Sequence, residues 1–175
     1  MQTYHLVTIF IMNINKTHSS PNYNERRLGA PNMILLHYTG RPSCEEAITK
    51  WLCNPEKEVS AHYVVDEDGT IYQLVDEDKR AWHAGVSEWK GQTDINSLSI
   101  GIEIQNPGHE FGYRPFPLAQ MESVAALCKN IMERFEIEYV LGHSDVAPER
   151  KVDPGELFDW DWLSNRGVPN IHASE

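Results

Sequence analysis

Met33, Ile34, Leu35 and Leu36 form a run with no polar position, and the run stops on His37. An apolar stretch of this length is a strand buried on both faces, which demands a sheet covered by other elements. The rest of the chain supplies those elements in alternation. After a turn at residues 40–43, positions 44–53 read as a short helix with Ser43 as N-cap and Glu45 and Glu46 in the first turn. Residues 62–65 and 70–75 flank Asp66-Glu67-Asp68-Gly69, a hairpin bent at Asp-Gly. Residues 98–104 form another strand. Positions 117–135 give the clearest helix, with Leu118, Met121, Val124, Ala125, Leu127, Cys128, Ile131, Met132 and Phe135 on one stripe. Residues 139–141 then lead as a strand into Gly142-His143, and a short helix from Glu156 carries Phe158, Trp160 and Trp162 before fraying. The spacing predicts an α/β fold: a single domain with a central mixed β-sheet flanked by helices.

A chain of 175 residues fits one domain. We expect an N-terminal arm or extra strand over 1–19, the folded domain over 20–165 and a flexible tail over 166–175. The net charge of -11 argues against nucleic acid as a partner, because phosphate binding needs a basic surface. The apolar stretch at 6–12 is too short to span a bilayer, and neither a preceding cation nor a small-x-small cleavage site marks it as an export signal. Cys44, Cys53 and Cys128 offer no CxxC pair and read as free thiols of a reducing compartment.

The chemistry is concentrated between Gly142 and Gly155. This Pro/Gly-rich stretch contains His143, Lys151 and Asp153. His143 and Asp153 are candidate metal ligands, and His37, at the end of its strand, is the third. Two His and one Asp leave one corner of a zinc tetrahedron free, as in catalytic rather than structural sites. Asp153 precedes Pro154, which favours an extended conformation, so Lys151 and Asp153 face the same side. Lys151 is then placed to balance negative charge on a substrate oxygen. In residues 99–104, Ile100, Ile102 and Ile104 share one face, leaving Ser99, Gly101 and Glu103 on the other. Glu103 fits either a general base beside metal-activated water or a salt-bridged strand residue.

The stretches Leu35-Leu36-His37-Tyr38-Thr39-Gly40, Ser60-Ala61-His62-Tyr63, Arg80-Ala81-Trp82-His83-Ala84-Gly85, Ser99 to Ile104, and Gly142-His143-Ser144-Asp145-Val146-Ala147-Pro148 through Lys151-Val152-Asp153-Pro154-Gly155 occur in order. Together they resemble the zinc-dependent N-acetylmuramoyl-L-alanine amidases of type 2. That family includes the AmpD and AmiD enzymes and is related to a phage lysozyme and to peptidoglycan recognition proteins. The resemblance implies one zinc ion on His37, His143 and Asp153, Glu103 as general base and Lys151 as stabiliser of the transition state. The implied substrates are muramyl peptides, intact or 1,6-anhydro, cut between the lactyl group and L-alanine during bacterial wall turnover or recycling. Ala61 stands where phage-type members carry tyrosine, which favours the Glu-dependent AmpD/AmiD branch. Tyr38-Thr39-Gly40 and Asn106-Pro107-Gly108 look more like AmiD. A cytoplasmic location is expected from the lack of a clear signal peptide, with the cell envelope as the alternative. A non-catalytic wall-binding module of the same fold is the competing function, and a structural-zinc domain would need a fourth ligand from His62 or His83.

Substrate contacts are expected from His83, Trp82, Arg80 and Asn96. His62 is expected to play a structural part, Asp145 to cap its turn, and Trp160 and Trp162 to anchor the last helix. His5, His18, His109 and His172 lie outside the motifs and are expected at the surface.

Overall fold

Six strands form the central sheet of the computed structural model, which describes residues 12–172. In chain order the elements are β1 (Ile14–Asn15), β2 (Tyr23–Glu25), β3 (Met33–Tyr38), α1 (Cys44–Glu46) running on as a π-helical segment (Ala47–Leu52), β4 (Tyr63–Val65), β5 (Ile71–Gln73), β6 (Lys79–Ala81), α2 (Ile95–Leu98), β7 (Ser99–Ile104), α3 (Gly108–Phe111), α4 (Leu118–Met132), β8 (Tyr139–Gly142), α5 (His143–Val146) and α6 (Trp160–Asn165). The sheet order is β1-β5-β4-β7-β3-β8. The β4–β5 hairpin is antiparallel and the other pairs are parallel, so the sheet is mixed. Strands β2 and β6 pair separately as an antiparallel ribbon.

Burial follows the sequence pattern. Strand β3 lies between β7 and β8, and Ile34, Leu35 and Leu36 are fully buried. Helix α4 covers one face, where Val124, Leu127, Cys128 and Ile131 pack with Ile34, Leu36, Ile100, Ile102 and Ile104. On the opposite face Met33, Leu35 and Leu141 pack with Ala84, Ile95 and Val146. Strand parity decides where the chemistry emerges. Register pairs Met33 with Ser99 and Tyr139, Leu35 with Gly101 and Leu141, and His37 with Glu103. The alternation therefore places His37 and Glu103 on the α2 side, away from α4, and His143 follows at the same parity. All three sit at the carboxyl ends of parallel strands.

Several elements differ from expectation. The helix after Ser43 begins as α-helix, with the Ser43 hydroxyl accepting from the Glu46 N–H at 3.2 Å, then widens into the π-helical segment. Leu118, counted in the apolar stripe of α4, is 60% exposed, whereas Gln120 is fully buried. Gln120 Nε2 donates to the carbonyls of Val65 and Gln105, which gives a polar side chain a place in the core. The last helix starts at Trp160 rather than Glu156, because the Asp159 carboxylate caps it by accepting from the Trp162 N–H at 2.8 Å. Beyond Arg166 the expected flexible tail is docked as far as it is described. Val168 is fully buried in the core and the His172 ring stacks on Trp160. Most of the stretch at 6–12, and His5, fall outside the described residues.

Candidate active site

His37, His143 and Asp153 converge at the carboxyl end of the sheet. Their Nδ1, Nδ1 and Oδ2 atoms lie 2.9, 3.1 and 3.2 Å apart, and all three side chains are buried. Donor atoms around a tetrahedral zinc stand about 3.3 Å apart, so the spacing fits a small divalent cation. The hydrogen bonds on the far side of each ring fit it as well. His143 Nε2–H donates to the Ala84 carbonyl at 2.9 Å, which leaves its Nδ1 lone pair facing the cluster. With His37 Nδ1 also bare, Nε2–H of His37 donates to His83 Nδ1 at 3.0 Å. His83 Nε2–H then faces Ser99 Oγ at 3.4 Å, and the Ser99 hydroxyl donates to the Ile95 carbonyl at 2.6 Å. Three lone-pair donors within 3.2 Å of one another, the two imidazoles held from behind, form a donor set suited to a metal.

Local sequence builds this geometry. A Cβ on Gly101 would stand 2.5 Å from the His83 ring, so only glycine leaves room for that imidazole. A Cβ on Gly142 would meet Pro154 at 2.7 Å; the bare glycine lets the segment carrying Asp153 fold back on β8. The Ser144 N–H donates to the Asp153 carbonyl at 3.0 Å and closes that return. Asp153 sits in a turn rather than in the expected extended conformation, yet Lys151 and Asp153 line the same cleft. Asp145 caps the turn as expected, accepting from the Gly142 N–H at 2.7 Å.

Protonation is set by burial and neighbours. Burial, and then His143, lowers His37 to about 4. Burial also holds His83 well below the usual imidazole range. Burial alone would raise Asp153, but the His143 and His37 imidazoles against its carboxylate hold it below the ordinary carboxylate range. Glu103 goes the other way: burial, and then the Asp153 charge, pushes it well above the usual value. Glu103 Oε2 is buried with no hydrogen-bond partner, so the salt-bridged alternative does not describe it. Glu103, Lys151, Asp153, His83 and Trp82 line one cleft of about 430 Å³.

The other expected contacts sit behind that wall. Arg80 is held by Asp94 at 2.8 and 2.9 Å, and Asn96 Oδ1 accepts from the N–H groups of His83 and Ala84 at 3.0 and 2.8 Å. Neither lines the cleft. Asn96 thus fixes the backbone that presents the His83 ring and the Ala84 carbonyl. His62 is structural: its Nδ1 accepts from the Gly101 N–H at 3.0 Å and its Nε2–H donates to the Lys79 carbonyl at 2.9 Å. His109 and His172 are exposed, while His18 is half-buried beside Tyr72. Trp160 and Trp162 pack on the core. Sequence reasoning missed Tyr38, Arg41, Trp51 and His109 in the cleft wall, and Tyr113, whose hydroxyl donates to the Pro154 carbonyl at 2.8 Å. None of these stands on a periodic pattern that would single it out.

A His-His-Asp donor set at the mouth of a mixed α/β sheet, beside a buried carboxylate and a lysine, is the kind of arrangement that metal-dependent hydrolases use. Residues 27–156 match the family described as N-acetylmuramoyl-L-alanine amidase, and the chain belongs to that family. It is 38% identical over 150 residues to AmiD of Escherichia coli K12, covering 78% of this chain and 53% of that protein. To AmpD of Enterobacter cloacae it is 42% identical over 104 residues, covering 58% and 54%. The chain thus spans about half the length of these curated relatives. A crystal structure of AmpD superimposes with a TM-score of 0.73 at 31% identity, covering 87% of this chain and 93% of that one. E. coli AmiD, solved with anhydro-N-acetylmuramic acid-L-Ala-D-gamma-Glu-L-Lys, gives 0.69 at 33%, covering 84% and 66%.

Proposed function

We propose that this chain is a zinc-dependent amidase that hydrolyses the bond between the lactyl group of N-acetylmuramic acid and L-alanine of a peptidoglycan stem peptide. The observation that carries the reading is the convergence of His37 Nδ1, His143 Nδ1 and Asp153 Oδ2 in a cleft shared with unpartnered Glu103 and Lys151. Membership in the amidase family and the muramyl tripeptide bound by E. coli AmiD support the substrate class. In that ligand the glutamate is joined through its side-chain carboxyl, so its α-carboxylate is free.

One zinc ion held by the two imidazoles and the carboxylate would supply a Lewis acid for the scissile carbonyl and acidify water near neutral pH. The remaining work falls to the chain. The raised proton affinity of Glu103 suits it to take the proton of the attacking water and hand it to the departing amine. Lys151 Nζ balances the charge that develops on the former carbonyl oxygen. His83, through His37, and the Ala84 carbonyl, through His143, hold both imidazoles in the tautomer that presents Nδ1. Trp82 lines the cleft and is the proposed apolar contact for sugar or peptide.

Mass-spectrometric assay of muramyl tripeptide with zinc-loaded and chelator-treated protein tests the reading. Release of free stem peptide only from the loaded protein is the expected result. Binding without cleavage would make the chain a recognition module instead. Running anhydro and intact muramyl substrates side by side separates the roles: preference for the anhydro sugar goes with cytoplasmic recycling, equal cleavage with the envelope.

A further inference from the structure

Arg41 is a cleft cation that none of the proposed chemistry uses. It follows β3 by a tight turn, and its backbone is pinned. The Gly40 N–H donates to the Asn106 carbonyl at 3.1 Å, and Gln105 Nε2 donates to the Arg41 carbonyl at 3.0 Å. The guanidinium carbon lies 3.5 Å from the centroid of the Trp51 ring. Both residues line the same cleft as Glu103 and Lys151. Among the described residues Arg41 has no ion pair, and its side chain makes a single hydrogen bond, from Nη1 to the Gly40 carbonyl at 3.2 Å. Other cations of this wall are committed. Arg150 Nη2 donates to the carbonyls of Ala84 and Val86 at 2.8 Å each, and Lys151 stands beside the donor cluster.

In a chain of net charge -11, an arginine without a carboxylate is a set of donors with no anionic acceptor. The aromatic stack holds the guanidinium plane in place, so much of the ordering cost of binding is met before a ligand arrives. A planar fork with free N–H groups matches a carboxylate and holds it by charge-assisted hydrogen bonds. The Arg41 charge acts on Glu103, opposing the burial that raises that carboxyl, which puts the guanidinium within electrostatic reach of the proposed reaction centre. A stem peptide carries one free carboxylate close to the scissile bond, one residue beyond L-alanine.

We propose that Arg41, braced on Trp51, is the subsite for the α-carboxylate of the γ-linked glutamate in the stem peptide. This assignment rests on the muramyl-peptide reading of the cleft and adds a preference to it: glutamate over its α-amide.

The test is calorimetric titration of the uncleavable peptide L-Ala-γ-D-Glu-L-Lys, and of the same peptide with the α-carboxylate amidated, into the intact zinc-loaded chain. Amidation is expected to weaken binding to the wild type about tenfold, the scale of one charge-assisted contact. Arg41→Gln is expected to bind both peptides with the same, weaker affinity. Lys57→Gln, whose ammonium also sits over the Trp51 ring at 4.6 Å but outside the cleft, is expected to keep the wild-type difference. Equal binding of both peptides by the wild type, no binding of either, a difference that survives Arg41→Gln, or its loss in Lys57→Gln would each overturn the assignment. Should Arg41→Gln fail to fold, Arg41→Met, which keeps the aliphatic stem on Trp51, takes its place with the same expected loss of discrimination. No bond is broken in this measurement, so its failure is separate from failure of the amidase reading. Discrimination without cleavage removes the enzyme and keeps the subsite; cleavage without discrimination does the reverse.

Discussion

Strand β7 has two faces, and both are covered by protein. Ile100, Ile102 and Ile104 are fully buried against α4 and stabilise the fold through area removed from water. On the other face Ser99, Gly101 and Glu103 meet His62, His83 and the cluster of His37, His143 and Asp153, where burial costs free energy unless every polar atom finds a partner. Nearly all of them do. His62 bonds to Gly101 and Lys79, His83 to His37 and Ser99, and Ser99 to Ile95. Glu103 Oε2 is the exception on this face. One strand thus separates stability from the proposed chemistry by parity, and its polar face leaves unsatisfied the carboxyl proposed to exchange a proton.

The sharpest break of that contrast sets Glu103→Gln against Ile102→Ala. Glu103→Gln is expected to lower turnover by roughly 100- to 10,000-fold, the range for a lost acid–base group, with zinc content unchanged. Its melting temperature should hold or rise, because a neutral amide replaces a group whose ionised form burial penalises. Ile102→Ala is expected to lose about 2–5 kcal/mol in urea unfolding while the folded fraction keeps its kcat. If Glu103→Gln unfolds as readily as Ile102→Ala, the two faces do not divide the work. Next in size, Lys151→Met should cost about 100- to 1000-fold in kcat with metal retained; near-normal activity would remove Lys151 from the charge-balancing role.

Much of this division was legible before any coordinates. Alternation along residues 99–104 gave the two faces, and the continuous run at 33–36 gave the central strand. That His37, Glu103 and His143 share one side follows only from the register of β3 with β7 and β8. Legibility failed where a polar residue's partner comes from distant sequence. Arg80 and Asn96 read as substrate contacts by type, but Asp94 holds the first and the 83–84 backbone the second. Gln120 broke the helix stripe because two carbonyls of the sheet side need its amide. Arg41 and Trp51 meet only through the turn after β3 and the π-helical segment, so no spacing rule joins them.

The polar face can also be broken through its glycine. Gly101→Ala places a methyl 2.5 Å from the His83 ring, which must then leave its hydrogen bond to His37. Losing the partner that fixes a ligand's tautomer costs about 10- to 100-fold in metal affinity. Competition with a zinc chelator reads this directly, without an activity assay. Unchanged affinity would mean that His37 is held by the cluster alone and that His83 contributes nothing through it.

The smallest effect concerns pH, and only one face should show it. The apolar face carries no group that titrates between pH 5 and pH 7, whereas His37, His62 and His83 are all held neutral by burial. His62 is lowered to about 3, with Arg26 adding to burial, and His37 to about 4. In the unfolded chain these imidazoles titrate near ~6.5. Below that pH the unfolded state takes up protons that the native state refuses, so stability is fully present above ~6.5 and is lost as pH falls towards the folded values. Each imidazole contributes up to ~1.4 kcal/mol per pH unit across its window. Glu103 acts in the opposite sense. Its raised value gives stability that is present below the unfolded carboxyl pKa and lost as pH rises through the folded one. Urea midpoints of metal-free protein should therefore fall between pH 7 and pH 5, and more steeply in Glu103→Gln, where the opposing group is gone. A flat profile in both proteins would mean that the histidines behind the cleft take up protons without unfolding the chain, and that their face is less tightly closed than the one under α4.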